Sequence, residues 1–226
     1  MIAPAGQICY DDSENISRIC GAKAEVHTMN KIITISREYG SGGHSIGQKV
    51  AEELGIPFYD KDIMRETARA SGWDLEVIDQ DQEDVSKAEL FFKKMGSFSS
   101  PAYPDTQDMI HDVQTAVILK LAKEGPCVIL GRCADDILTK AGVDCVNVFI
   151  QASDVHRAQR ASELTGITNP SELKKLLVKK DNSRHTYYHH YTGKKWGECR
   201  NYTLTLDSGA LGYDLCAKLI VEAARG

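Results

Sequence analysis

Between Ile32 and Leu54 the chain reads IITISREYGSGGHSIGQKVAEEL. Gly40, Ser41, Gly42, Gly43, His44 and Ser45 fill a turn between a β-branched run and a helical repeat. The repeat is Ile46, Val50 and Leu54, and it stops at Gly55. A glycine-rich strand-to-helix turn lets backbone N–H groups approach an anion closely. The helix N-terminus adds partial positive charge, so the chemistry such a turn offers is phosphate binding. Laid against the pattern GxxxxGK[ST], the lysine position falls on Gly43, and the nearest following hydroxyl is Ser45, two later. The next lysine is Lys49, a full turn into the helix. Arg37 or His44 could take its place, or a cation from elsewhere in the chain, such as Lys194 or Lys195 in the glycine-flanked run YTGKKWG. The other reading is a tight turn whose glycines serve backbone geometry alone.

Polyphosphate chemistry needs further cations from elsewhere in the chain. Ile56, Phe58 and Tyr59 predict a short strand ending at Asp60, followed by a helix with Arg65 in its first turns. The run CVIL predicts a buried strand with Arg132 just past its end, where a parallel sheet presents ligand contacts. The competing reading pairs Arg132 with Asp135 or Asp136. The next strand is CVNVFIQA, and Ser153 or Asp154 caps a helix carrying Arg157 and Arg160, three apart on one face. Asn169-Pro170-Ser171-Glu172 reads as a cap with proline at the first helical position, opening a long helix that holds Asp181 and Arg184. Residues 157–200 carry ten lysines and arginines against four acids. A basic segment facing a glycine cradle fits a polyphosphate, although polar helix faces account for most of the lysines.

Other clusters point to bland roles. His185, His189 and His190 lack a partner at metal-binding spacing, so packing with Tyr187, Tyr188 and Tyr191 is expected instead. Residues 74–89 carry seven acids and one lysine without calcium-loop spacing, and read as a solvated face or insert. NYTLTLDSG predicts a last strand ending at Asp207 and Ser208. A helix of Leu211, Leu215, Leu219 and Ile220 then closes the chain.

The elements that must position these groups alternate strand and helix, which implies right-handed crossovers and a parallel sheet. At 226 residues there is room for one such α/β domain with a proper core. Residues 1–29 precede the first strand and read as an N-terminal extension, leaving 30–226 as a single domain. A net charge of −5 gives no reason to expect nucleic-acid binding. No apolar run reaches membrane-span length, and the N-terminus lacks signal-peptide character, so a cytoplasmic protein is expected. Seven cysteines without a CxxC pair predict reduced thiols.

Six stretches in register, ITISREYGSGGHSIG, LGIPFYDKDIM, GRCADDIL, DNSR, YTGKKWG and YTLTLDSGALG, resemble the cytidylate kinase-like family. The resemblance spans roughly 31–222, apart from most of 70–105. It implies a P-loop NTPase-type three-layer sandwich: a parallel sheet of about five strands, helices on both faces, an NMP-binding insert at 70–105 and a lid at 153–200. It implies a phosphotransferase acting on small-molecule nucleotides, with ATP and Mg2+. By position, Gly40, Ser41, Gly42, Gly43, His44 and Ser45 are the phosphate loop, with Ser45 on the metal. Asp207 and Ser208 lie near the ATP base. Asp60, Arg65, Arg132 and Asp181 face the acceptor. Arg157 and Arg160 resemble lid arginines, and Arg184 completes a D-x-x-R pair with Asp181. Two departures stand out. The cytidylate kinases proper carry a lysine where Gly43 stands, and an aspartate where Cys133 stands, for which Asp135 is the candidate replacement.

Overall fold

The computed structural model describes residues 31–60, 69 and 106–226. The expected extension, the insert at 70–105 and Arg65 lie outside the described residues.

Five short strands form one parallel sheet: β1 (Ile32–Arg37), β2 (Phe58–Tyr59), β3 (Val128–Leu130), β4 (Cys145–Gln151) and β5 (Leu204–Asp207). Their spatial order is β2-β3-β1-β4-β5, so β1 is central. Ile33 pairs with Val128 on one side and Val146 on the other. The sheet thus grows in both directions from β1, and the crevice beyond its C-terminal end is the expected ligand site.

The helices whose bounds fall among the described residues are α1 (Gly43–Leu54), α2 (Thr106–Glu124), α3 (Ala134–Lys140), α4 (Asp154–Thr165), α5 (Pro170–Thr192), α6 (Ser208–Leu211) and α7 (Tyr213–Arg225). Strand alternation sorts them into two layers. Ile33 and Ile35 pack with Ile46 and Val50 of α1 and with Ile220 and Val221 of α7. Ile32, on the opposite face, packs with Ile118 of α2, Leu138 of α3 and Tyr188 of α5. This is the three-layer arrangement expected.

Local chemistry sets the boundaries. Gly55 ends α1 in the left-handed region at φ 65°. Ser153 caps α4 by accepting from the His156 N–H, and Asn169 caps α5 by accepting from Ser171 and Glu172. The closing helix differs from expectation in two ways. Gly212 breaks it into α6 and α7. Leu211, Leu215 and Leu219 are exposed, while Cys216, Ala217, Ile220, Val221 and Ala224 are buried. The inward face is the one rich in small residues, which seats α7 against α1. Among the described residues, no helix is long and apolar enough to cross a membrane.

Candidate active site

The turn after β1 is built around glycine. Gly40 and Gly42 have φ of 81° and 76°, which side-chain-bearing residues adopt at a cost. A Cβ on Gly40 would lie 2.5 Å from the Arg157 carbonyl oxygen, and one on Gly42 would meet the Tyr213 ring. The turn is pinned from both sides. The buried Ser41 hydroxyl donates to the Glu38 carbonyl at 2.9 Å. The buried Ser208 hydroxyl donates to the Ser41 carbonyl at 2.6 Å, joining the end of β5 to the loop. Asp207 is spent on capping α6, accepting from Gly209 and Ala210.

The head of α1 remains open. Its cap, Gly42, offers no side-chain bond, and no acid occupies the first turn. The N–H groups of Gly43, His44 and Ser45 therefore lack the partners a capped helix would give them, which is the arrangement that receives an anion. His44 is exposed, with Nε2 at 3.5 Å from Asp60.

A cavity of about 110 Å³ opens beyond β1 and β3, joined to the loop by Arg37, whose stem lies against Gly43. Three arginines line it: Arg37, Arg132 and Arg184. Gln114, Tyr187 and Trp196 supply much of the remaining wall, and no carboxylate is among its described lining residues. Arg184 donates to the Arg37 carbonyl at 3.1 Å, which ties α5 to the end of β1. Burial pushes the guanidinium pKa values of Arg132 and Arg184 down, with Arg184 adding to the shift of Arg132 and Arg157 adding to that of Arg184. Arg37 is pushed down to about 9, first by burial and then by Arg184 and Arg132, with Asp60 opposing. Packing three cations this closely leaves a site that favours anions.

Arg132 reaches the cavity through unusual backbone. Gly131, Arg132 and Cys133 have consecutive φ values of 78°, 61° and 55°. Two non-glycine residues in the left-handed region are strained, and such strain gathers at functional sites. The turn aims Arg132 into the crevice and starts α3 at once.

The other expected residues lie elsewhere. Arg157 is buried and bridges Asp181, Glu38 and Asp154, while its Nε donates to the Tyr39 carbonyl at 2.8 Å. Asp181 also accepts from the Tyr39 N–H at 2.8 Å, so both residues hold the loop and do not line the cavity. Arg160 pairs with Glu163 at 2.9 Å on a partly exposed face. Asp135 is turned away: it is buried, and its carboxylate accepts from the Tyr188 hydroxyl at 2.7 Å. Burial raises its pKa. Lys194 pairs with Asp136 at 2.8 Å. Of the α5 histidines, among the described residues, only His190 meets a tyrosine, Tyr191, as expected; His185 and His189 stack on each other at the exposed face, and Tyr191 itself stacks on His111 with centroids 3.7 Å apart. Among the described residues, no group of three or more His, Cys, Asp or Glu could hold a metal ion.

Sequence reading missed Gln114 and Trp196. Gln114 is 1% exposed and accepts from the Tyr187 hydroxyl. Its signal was legible: a glutamine one turn after Ile110 and three before Val117, on the apolar face of its helix.

A parallel sheet with a glycine loop leading from its central strand into a helix, and an arginine-lined crevice beside it, defines an α/β fold of the P-loop kinase type. The chain belongs to the cytidylate kinase-like family, whose pattern matches residues 32–210. The structure of an uncharacterized protein from Eubacterium ventriosum is similar, with a TM-score of 0.63 at 26% identity, covering 86% of this chain and 98% of that one. Shikimate kinase from Bacteroides thetaiotaomicron has a TM-score of 0.50 at 14% identity, covering 85% of this chain and 97% of that one. TT1252 from Thermus thermophilus has a TM-score of 0.51 at 15% identity, covering 87% and 97%. The last two share the fold alone. No curated protein matches in sequence.

Proposed function

We infer that this protein transfers the γ-phosphoryl group of ATP to a small phosphorylated acceptor, a nucleoside monophosphate of the CMP or dCMP kind. The observation that carries this reading is the cavity lined by Arg37, Arg132 and Arg184, with no carboxylate among its described lining residues, joined by Arg37 to an open helix N-terminus. Phosphoryl transfer asks little covalent chemistry of a protein. It asks that two polyanions be brought in line and that their spreading charge be met by fixed cations.

The residues present fit ATP and Mg2+. Gly43, His44 and Ser45 offer N–H groups to the phosphates. Ser45 stands in the helix's first turn, where its hydroxyl can ligate a metal otherwise held by phosphate and water oxygens. Mg2+ would supply neutralisation of the phosphate charge. Ser208, through Ser41, and Asp207, at the end of β5, set the nucleotide side of the loop. Arg132 and Arg184 receive the acceptor's phosphate, and Asp60, just past β2, stands near them. Arg157 and Asp181 act one step back, by holding Tyr39 and the loop in shape. Family membership supports the nucleotide acceptor.

A second reading is a nucleotide-binding module without transfer. The glycine at position 43 favours it, because the usual loop cation is missing.

Chromatographic product detection separates the two. With Mg-ATP and a panel of CMP, dCMP, UMP and AMP, the expected result is diphosphate formation from one acceptor class. Arg184→Ala should lower kcat/KM by roughly tens-fold to thousands-fold, the cost of a charge-assisted contact to a buried phosphate. Nucleotide binding without turnover of any acceptor would instead establish the second reading.

A further inference from the structure

The loop has one position short of a cation, Gly43, and one arginine whose place in the fold matches the deficit. We propose that Arg37, the last residue of β1, clamps the transferring phosphates of ATP in place of the lysine that the P-loop pattern puts at position 43. The proposal rests on the kinase reading above.

Space is the first observation. A Cβ on Gly43 would lie 2.6 Å from the Arg37 Cβ and 2.9 Å from its Cγ. The stem of Arg37 therefore occupies the volume in which a lysine at 43 would begin. The two side chains exclude each other, and glycine at 43 is what makes room for the arginine.

Reach is the second observation. A Cβ on Gly131 would lie 2.5 Å from an Arg37 Nη, so the guanidinium runs from the head of α1 to the end of β3. It lies there on the cavity wall with Arg132 and Arg184. A lysine in the P-loop likewise carries its charge away from its own backbone, to the β- and γ-phosphates. The anchor has moved from the helix to the strand, and the charged end is delivered to the join between loop and acceptor cavity.

Charge is the third. Among the described residues no carboxylate lies within ion-pair distance of Arg37, whereas Arg157, seated on the same loop, has three such acids. The low pKa of Arg37 comes from burial and two neighbouring arginines, with Asp60 the one acid opposing them. A desolvated cation outnumbered in this way by like charges is costly unless an anion arrives to meet it. An arginine also presents a fork that can hold two phosphate oxygens together.

The test is binding of Mg-ATP and AMP to the full chain by calorimetry. Arg37→Met keeps the stem and removes the charge. It is expected to weaken ATP roughly 30-fold or more while AMP changes less than about threefold. The reciprocal variant Arg37→Gly/Gly43→Lys clears the clash, which Arg37→Ala would not, since alanine keeps the Cβ. It is expected to recover ATP affinity to within about tenfold of wild type. Gly43→Lys alone should not bind ATP better than wild type. Wild-type ATP affinity in Arg37→Met would overturn the proposal and leave the kinase reading standing. Failure of the wild-type chain to bind ATP at all would overturn both. Should circular dichroism show Arg37→Met unfolded, the reciprocal variant decides: ATP binding there supports the relocated clamp, and its absence there overturns it.

Discussion

Arg157 and Arg184 sit on neighbouring helices and both touch Asp181, yet they do different work. Arg157 is fully engaged within the fold, between three acids and the Tyr39 carbonyl. Removing it leaves half-buried Glu38 without its cation and Asp181 with Arg184 alone at 3.8 Å, and breaking such a partly buried pair typically costs about 3 kcal/mol. Arg157→Ala is therefore expected to lower stability by about that amount in urea unfolding, with lost ATP binding following from a loosened loop. A variant of unchanged stability that has lost turnover would instead make Arg157 a direct phosphate contact. The sequence showed that Arg157 and Arg160 share a helix face, but not which acids would meet them. Asp181 is 24 residues from Arg157, and Glu38 lies on another element altogether. Spacing within a helix is visible in a sequence; pairing across elements is not. The same limit separates Asp135 from the cavity, because its partner Tyr188 arrives from α5.

At the scale of elements, strands and caps were the most legible. Gly55, Ser153 and Asn169 each end or start a helix through a local bond that their residue type advertises. The turn after β3 was not legible, because nothing in Arg132 or Cys133 signals a positive φ. α7 was misread for a different reason. The spacing pointed to Leu211, Leu215, Leu219 and Ile220, of which Ile220 alone is on the packed face, beside Cys216, Ala217, Val221 and Ala224. Close approach of two helices favours small side chains, so hydrophobicity alone chose the wrong face. Ile220→Ala is expected to cost about 2–5 kcal/mol, and Leu215→Gln to stay within about 0.5 kcal/mol of wild type, both read from urea midpoints. Comparable losses at the two positions would mean that α7 packs the other way round.

For the molecule as a whole, alternation of strand and helix was enough to expect a parallel sheet, and the strand order places its switch point at the glycine loop. Thiol burial follows from that layering. Cys127 is pushed up to about 11 by burial beside Glu124, and burial also raises Cys133 and Cys216. Cys199 is exposed. Iodoacetamide at mildly alkaline pH should therefore label Cys199 well before Cys127, Cys133 and Cys216 in the native protein, as peptide mass spectrometry would show. Equal labelling of all four would mean that the layers open readily. The central claim is that two anions meet between the loop at Gly40–Ser45 and the cavity of Arg37, Arg132 and Arg184. A crystal structure of the protein with Mg-ADP, aluminium fluoride and CMP tests it most directly. The account predicts ADP phosphates on the N–H groups at the head of α1 and the fluoride complex within reach of the arginine cavity. Nucleotide bound instead in the groove between α4 and α5, or fluoride absent from the arginines with nucleotide in place, would contradict it.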